Sequence, residues 1–296
     1  MADYSIWVCE YSYVPNYHKS GVLYGAHNQG YVKLPYCYVV IKGKDHVAMV
    51  DVGYNDKEYG KTLGDRFGVE NWRDPKTVLA EVGVTPEEVD TVFVTHAHFD
   101  HFGNVEDFPN AKFYIQEREI SKWVWAMSLP DRMRWMMTAV DPGDIVRGVE
   151  LARDKRLETV NGALTDVLPG IDLHPAEDSH TWGSMWVTVR NDGKEQSQDT
   201  WVLAGDLIYV FENIKGPGAA VDLDEIYTPV GLATGSQTNL VLATEEMMKQ
   251  VDYDSHRIIP VHEERIRDTF PSRISKEGLR ITEVCLADGD ISKVAA

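Results

Sequence analysis

A chain of 296 residues with 29 Lys and Arg against 47 Asp and Glu carries a formal charge of −18, and is long enough to bury a core without disulfide staples. Its 43% hydrophobic and 26% charged residues, with 8 Trp and 14 Tyr, exclude a disordered polymer; the acidic balance argues against nucleic acid or anionic lipid as partner, and no apolar run has membrane-spanning length. Cys9, Cys37 and Cys285 are widely spaced and read as small buried hydrophobes in a reducing compartment, so a cytoplasmic protein without a leader segment is expected.

The aromatic stretch from Tyr4 to Tyr17 offers an apolar surface for self-association, so a homo-oligomer is an open expectation. Residues 36–55 read as two strands joined by a polar Gly-Lys-Asp turn, the second ending at Asp51. Residues 73–84 have helical spacing, and Thr85-Pro86-Glu87-Glu88 starts a second short helix. Residues 90–95 form a short buried strand that delivers the chain into His-Ala-His-Phe-Asp-His, and 110–116 form another. Residues 117–140 turn helical and rich in Trp and Met, and a further helix follows within 141–162. The segment from about 117 to 160 is therefore expected as a helical insert, either packed into the core or closing over an apolar substrate.

The β pattern resumes at 166–178, 184–190 and 200–206, with a polar hairpin turn between the last two. Helical periodicity covers 238–252, a short strand in 256–265 ends at His262, and one more strand closes the chain. With no repeat, linker or boundary in view, we expect a single domain over 1–296, an α/β sandwich with helices outside two sheets.

His96, His98, Asp100 and His101 all have metal-ligand chemistry. Alternate positions on extended backbone point the same way, so His96 and His98 suit one cation, and Asp100 and His101, beyond a turn, suit a neighbour. Two metals need more donors, and three polar residues at strand edges can supply them. These are His180, Asp206 and His262. Asp206 follows a buried apolar strand, where a carboxylate must be paired, hydrogen bonded or metal bound.

In order and spacing these seven residues resemble the metallo-β-lactamase fold hydrolases over roughly residues 35 to 265, nearest to the N-acyl homoserine lactonase-like branch. The resemblance implies an αββα sandwich of two mixed sheets. It implies His96, His98 and His180 on one metal, Asp100, His101 and His262 on a second, and Asp206 bridging them. Asp51 resembles the aspartate placed beside the metal site to orient a ligating histidine. Tyr209, three residues after Asp206, resembles a lactonase tyrosine that assists the substrate carbonyl, and Asp100 is the expected proton shuttle. The segment before His180 reads Glu-Asp-Ser, where the family commonly has Pro-Gly.

The cofactors implied are two divalent ions, zinc first, with manganese or iron also suited to the donors. The expected activity is hydrolysis of a lactone or related cyclic ester or amide by a metal-bridging hydroxide, on a small acyl substrate of apolar character. A glyoxalase II-like thioesterase and, less in keeping with the acidic chain, a phosphodiesterase are the alternatives. His18, His27, His46, His174 and His256 fit no motif.

Overall fold

Successive side chains of a strand face opposite sides of its sheet, and the first strand shows what that does in this protein. In β1 (Ser5–His18), Ile6 and Val8 join one apolar cluster while Trp7, Cys9 and Tyr11 join another. A strand covered on both faces reads as an unbroken apolar run. The N-terminal aromatic stretch is therefore a buried central strand, and the self-association surface expected there is absent: Trp7, Cys9 and Tyr11 are fully enclosed.

The computed structural model describes residues 2–216 and 226–294. Beside β1 lie β2 (Tyr31–Lys42), β3 (Val47–Val50), β4 (Thr91–Phe93), β5 (Lys112–Gln116) and β6 (Leu157–Val160). β7 (Leu164–Leu168), β8 (Ile171–Glu177), β9 (Gly183–Arg190), β10 (Thr200–Leu203) and β11 (Ile258–Ile259) follow. β12 (Ser272–Ile274) and β13 (Arg280–Cys285) complete the set. They form one sheet in the order β12-β13-β1-β2-β3-β4-β5-β6 and a second in the order β11-β10-β9-β8-β7. The first is antiparallel through β3 and parallel from β3 to β6. The second is antiparallel apart from the parallel pair β10 and β11.

Val39, Ile41, Val50 and Phe93 of the first sheet share a cluster with Leu173, Val187, Leu203 and Ile259 of the second, so the sheets pack face to face. The other cluster joins the outer faces to the helices. Val78 and Leu79 come from Pro75–Ala80, and Leu240, Met247 and Met248 from Gln237–Gln250. This is the expected α/β sandwich of two mixed sheets flanked by helices.

Several expected bounds change. The 73–84 helix is confined to Pro75–Ala80, capped by Asp74, whose carboxylate accepts from Thr77 N at 3.0 Å. The strand expected to end at His262 stops at Ile259. The helical insert is shorter than 117–160: it holds the helix Glu117–Met127, a tighter turn Asp131–Met137 and the helix Pro142–Arg153, while Leu157–Val160 is the edge strand β6. Its Trp-rich segment divides between core and surface, with Trp123 fully buried and Trp135 67% exposed. No helix among the described residues is long and apolar enough to cross a membrane.

Candidate metal centre

The end of β4 leads directly to the site. Val94 N–H still bonds Tyr114 O of β5, and Thr95 O accepts from Met185 N of β9 at 2.9 Å, tying the first sheet to the second. The chain then runs through His96 and His98 into the one-turn helix Phe99–Phe102. From the second sheet come His180, just before β9, Asp206, in the turn Gly205–Leu207 after β10, and His262, beyond β11. All seven side chains expected as ligands converge and are buried.

Their ligand atoms fall into two groups, each within 4.8 Å: His96, His98, His180 and Asp206, and Asp100, His101 and His262. Asp206 faces both. Its Oδ2 lies 3.6 Å from His96 Nε2 and 3.2 Å from His180 Nε2, whose ring nitrogen is in turn 3.0 Å from His98 Nδ1. Its Oδ1 lies 3.1 Å from His101 Nε2 and 2.9 Å from His262 Nε2. Asp100 Oδ2 stands 3.6 Å from His101 Nε2 and 4.0 Å from His262 Nε2.

The far nitrogens tell which lone pairs point inward. His101 Nδ1 donates to Asp51 Oδ2 at 2.7 Å, and His262 Nδ1 donates to Pro35 O at 2.6 Å. Thr95 gives its hydroxyl proton to Asp51 Oδ2 at 2.8 Å, so at 3.0 Å it accepts from His96 Nδ1. With its Nδ1 proton engaged and its charge suppressed by burial, His96 turns an Nε2 lone pair toward Asp206 Oδ2, whereas His262 Nε2 hydrogen-bonds Asp206 Oδ1 at 2.9 Å. His96 Nε2 and His101 Nε2 are buried without a hydrogen-bond partner. Ring nitrogens and carboxylate oxygens brought this close need a proton or a metal ion between them, and the buried His and Asp donor set suits two divalent ions.

Asp51, at φ +63° after β3, thus holds His101 directly and His96 through Thr95, and its other oxygen accepts from Thr95 N at 2.7 Å. Burial, reinforced by the neighbouring histidines, keeps His96 and His98 well below the usual imidazole range, the neutral state a metal ligand needs. Burial opposes charge on His101 too, but Asp206, Asp100 and Asp51 outweigh it and raise that ring. Burial would likewise raise Asp206, yet His101, His262 and His96 hold it well below the carboxylate range; Asp100 is raised by burial. Tyr209 is buried with its ring 4.7 Å from that of His262 and 5.7 Å from that of His180.

The sequence reading missed Thr95 and Glu119. Glu119 bonds both loops that carry the first histidine group, and nothing in the helical stretch Glu117–Met127 separates it from a solvent-facing acid. His98 also borders a narrow space of about 20 Å³ with Trp135, Met136, Thr138, Ala139, Leu232, Ala233 and Thr234, so the Asp131–Met137 turn lies beside this histidine. Three of the unassigned histidines have other partners: His174 stacks on Trp186, His46 contacts Asp90 and His256 packs on Phe270.

Residues 30–262 match the model of the metallo-beta-lactamase superfamily. N-acyl homoserine lactonase AiiB of Agrobacterium fabrum is 24% identical over 139 residues, 47% of this chain and 48% of that protein, so the chain spans about half the length of the curated relative it matches. Among solved structures, an N-acyl homoserine lactone hydrolase with N-hexanoyl-L-homoserine bound at its catalytic metal centre has 17% identity and a TM-score of 0.61, covering 91% of this chain and 97% of that one. AidC, a dizinc quorum-quenching lactonase, has 16% identity and a TM-score of 0.63, covering 94% of each chain. At these identities the structural likeness shows the fold. The family match spans both sheets and reaches from β2 to the last of the seven converging residues, and the chain belongs to the metallo-β-lactamase superfamily.

Proposed function

We propose that the protein is a binuclear metal-dependent hydrolase that opens a lactone or related cyclic ester or amide bearing an apolar acyl group. The observation that carries this reading is Asp206, whose two oxygens face two separate groups of buried donors. His96, His98 and His180 would hold one ion, Asp100, His101 and His262 the other, with Asp206 shared. Two bound divalent ions, zinc or alternatively manganese or iron, would polarise the acyl carbonyl and bring the pKa of held water toward neutrality.

The protein's own groups supply the rest. Tyr209 stands beside both histidine groups as a phenol donor for the substrate carbonyl and the charge that develops on it. Asp100, a member of the second donor group, would relay a proton from the held water to the departing oxygen. The residues beside His98 are mostly apolar, Trp135, Met136, Ala139, Leu232 and Ala233 with Thr138 and Thr234, and favour an apolar acyl group over a phosphodiester. The names of the lactonase relatives support the lactone reading, and three unpaired thiols fit a reducing, cytoplasmic compartment.

Turnover of zinc-loaded protein on lactones of graded acyl length, cyclic amides, glutathione and coenzyme A thioesters and phosphodiesters, followed by proton release, tests the proposal. Lactones should be the best substrates, improving with acyl length. A thioester or phosphodiester that outpaces every lactone overturns it in favour of that chemistry.

A further inference from the structure

Glu119 is fully buried in the first turn of the helix Glu117–Met127, and its four hydrogen bonds all come from neutral donors. Its Oε1 accepts from Ala97 N at 2.8 Å and Trp123 Nε1 at 2.7 Å. Its Oε2 accepts from Thr181 Oγ1 and Gly183 N, both at 2.7 Å. Ala97 lies between His96 and His98, and Thr181 follows His180. One carboxylate therefore grips both loops that supply the three-histidine group.

The approach is close enough to restrict its neighbours. A Cβ on Gly183 would stand 2.4 Å from Glu119 N, so only glycine lets the helix start so near β9. Trp123, held by the same carboxylate, sets its ring 6.1 Å from that of His98. The second group is anchored directly by Asp51, which reaches His96 only by way of Thr95, and by Pro35 O; neither is among the four partners of Glu119.

We infer that Glu119 is a positioning residue that fixes the spacing between the His96–His98 loop and the His180 loop, and so tunes one of the two metal positions selectively. The inference rests on the metal-centre reading and on nothing about the substrate. The chemistry explains the choice of residue. A buried carboxylate is tolerated when each oxygen is fully bonded, and it offers acceptors on both sides. A glutamine offers one acceptor oxygen and turns N–H groups against either the Ala97 and Trp123 donors or Gly183 N. An aspartate is one methylene too short to span the loops.

Metal-free wild type, Glu119→Gln and Thr181→Val are titrated with Co²⁺, following the visible ligand-field bands and the binding isotherm. Wild type should take two ions. Glu119→Gln should keep one at wild-type affinity and bind the other about ten- to a hundredfold more weakly, with altered bands for that ion alone. Thr181→Val, which removes one of the four bonds, should weaken the same ion by a smaller factor and carries the test should the glutamine variant not fold. Equal weakening of both ions, or of neither, overturns the inference. A wild type that binds fewer than two ions overturns it together with the binuclear centre, whereas failure on the lactone panel leaves the Co²⁺ result standing.

Discussion

At the scale of one side chain, Tyr209 is kept in a single protonation state. Burial and the nearby Asp206 carboxylate push its phenol well above the ordinary range, so it remains a donor throughout neutral pH. A donor fixed beside the reacting carbonyl should matter most in the transition state, where charge is greatest. Tyr209→Phe should therefore lower kcat on the best lactone by about a hundredfold while leaving two metals bound, measured by steady-state kinetics with metal analysis. An unchanged kcat would assign the ring to packing against His262 and His180. The seven converging residues were legible beforehand because strand-end His and Asp residues have few uses when buried, and their order along the chain is distinctive. Glu119 was not, because its inward direction depends on how the Glu117–Met127 helix seats on Gly183, a contact 64 residues away. Thr95 was visible only as the last β-branched residue of its strand; its relay to Asp51 needs β3 and β4 side by side.

At the scale of elements, the connections that aim the ligands are as constrained as the ligands. Gly205, just before Asp206, has φ +51°, and a Cβ there would lie 2.8 Å from Thr95 Cβ. The turn leaving β10 thus needs both left-handed backbone and an absent side chain. Gly205→Ala should cost about 1–3 kcal/mol of stability from the backbone alone, with weakened metal binding because Asp206 and Thr95 are pushed apart; urea unfolding and metal titration read the two effects, and a loss under about 0.5 kcal/mol would contradict the backbone argument. The start of the helix Pro142–Arg153 makes a pH prediction. Burial and Asp141 raise Asp144 to about 8, against the opposing pull of Arg147, whose Nη2 is 2.6 Å away. The folded state then binds a proton that the unfolded state releases near the ordinary value of 3.8. This group's contribution to stability is accordingly full below about pH 4 and lost as pH rises towards 8. Asp144→Asn should flatten the fall in Tm between pH 5 and 8 seen by scanning calorimetry; parallel curves for the two proteins would sink the assignment. The short β4 and its motif could be read locally, whereas β1 could not be placed. Its partners are β2 and the distant β13, and residues more than 270 positions apart leave no local periodicity to detect.

At the scale of the whole molecule, the centre joins the two layers of the sandwich. His96, His98, Asp100 and His101 hang from the first sheet, while His180, Asp206 and His262 hang from the second. Without cations, this seam buries two carboxylates among histidines and leaves His96 Nε2 and His101 Nε2 without a hydrogen-bond partner, an arrangement that opposes closure of the layers. With cations, the same atoms would become a cross-link that exists only in the folded state, since the unfolded chain scatters donors that run from residue 96 to residue 262. Binding to the native state alone stabilises it by RT ln(1 + [L]/Kd), about 4 kcal/mol for one ion at a free concentration a thousandfold above Kd. For a chain of this size each kcal/mol moves Tm by roughly 2–4 °C. Stripping the metals with a chelator should consequently lower Tm by roughly 8 °C or more, and restoring zinc should recover it. The effect should be largely absent in Asp206→Ala, which loses the shared ligand. Calorimetry of the stripped, restored and variant proteins reads all three states. A chelated wild type that melts where the zinc-loaded protein does would mean that the two sheets hold together without the seam, and that the seven residues do not form a metal cross-link.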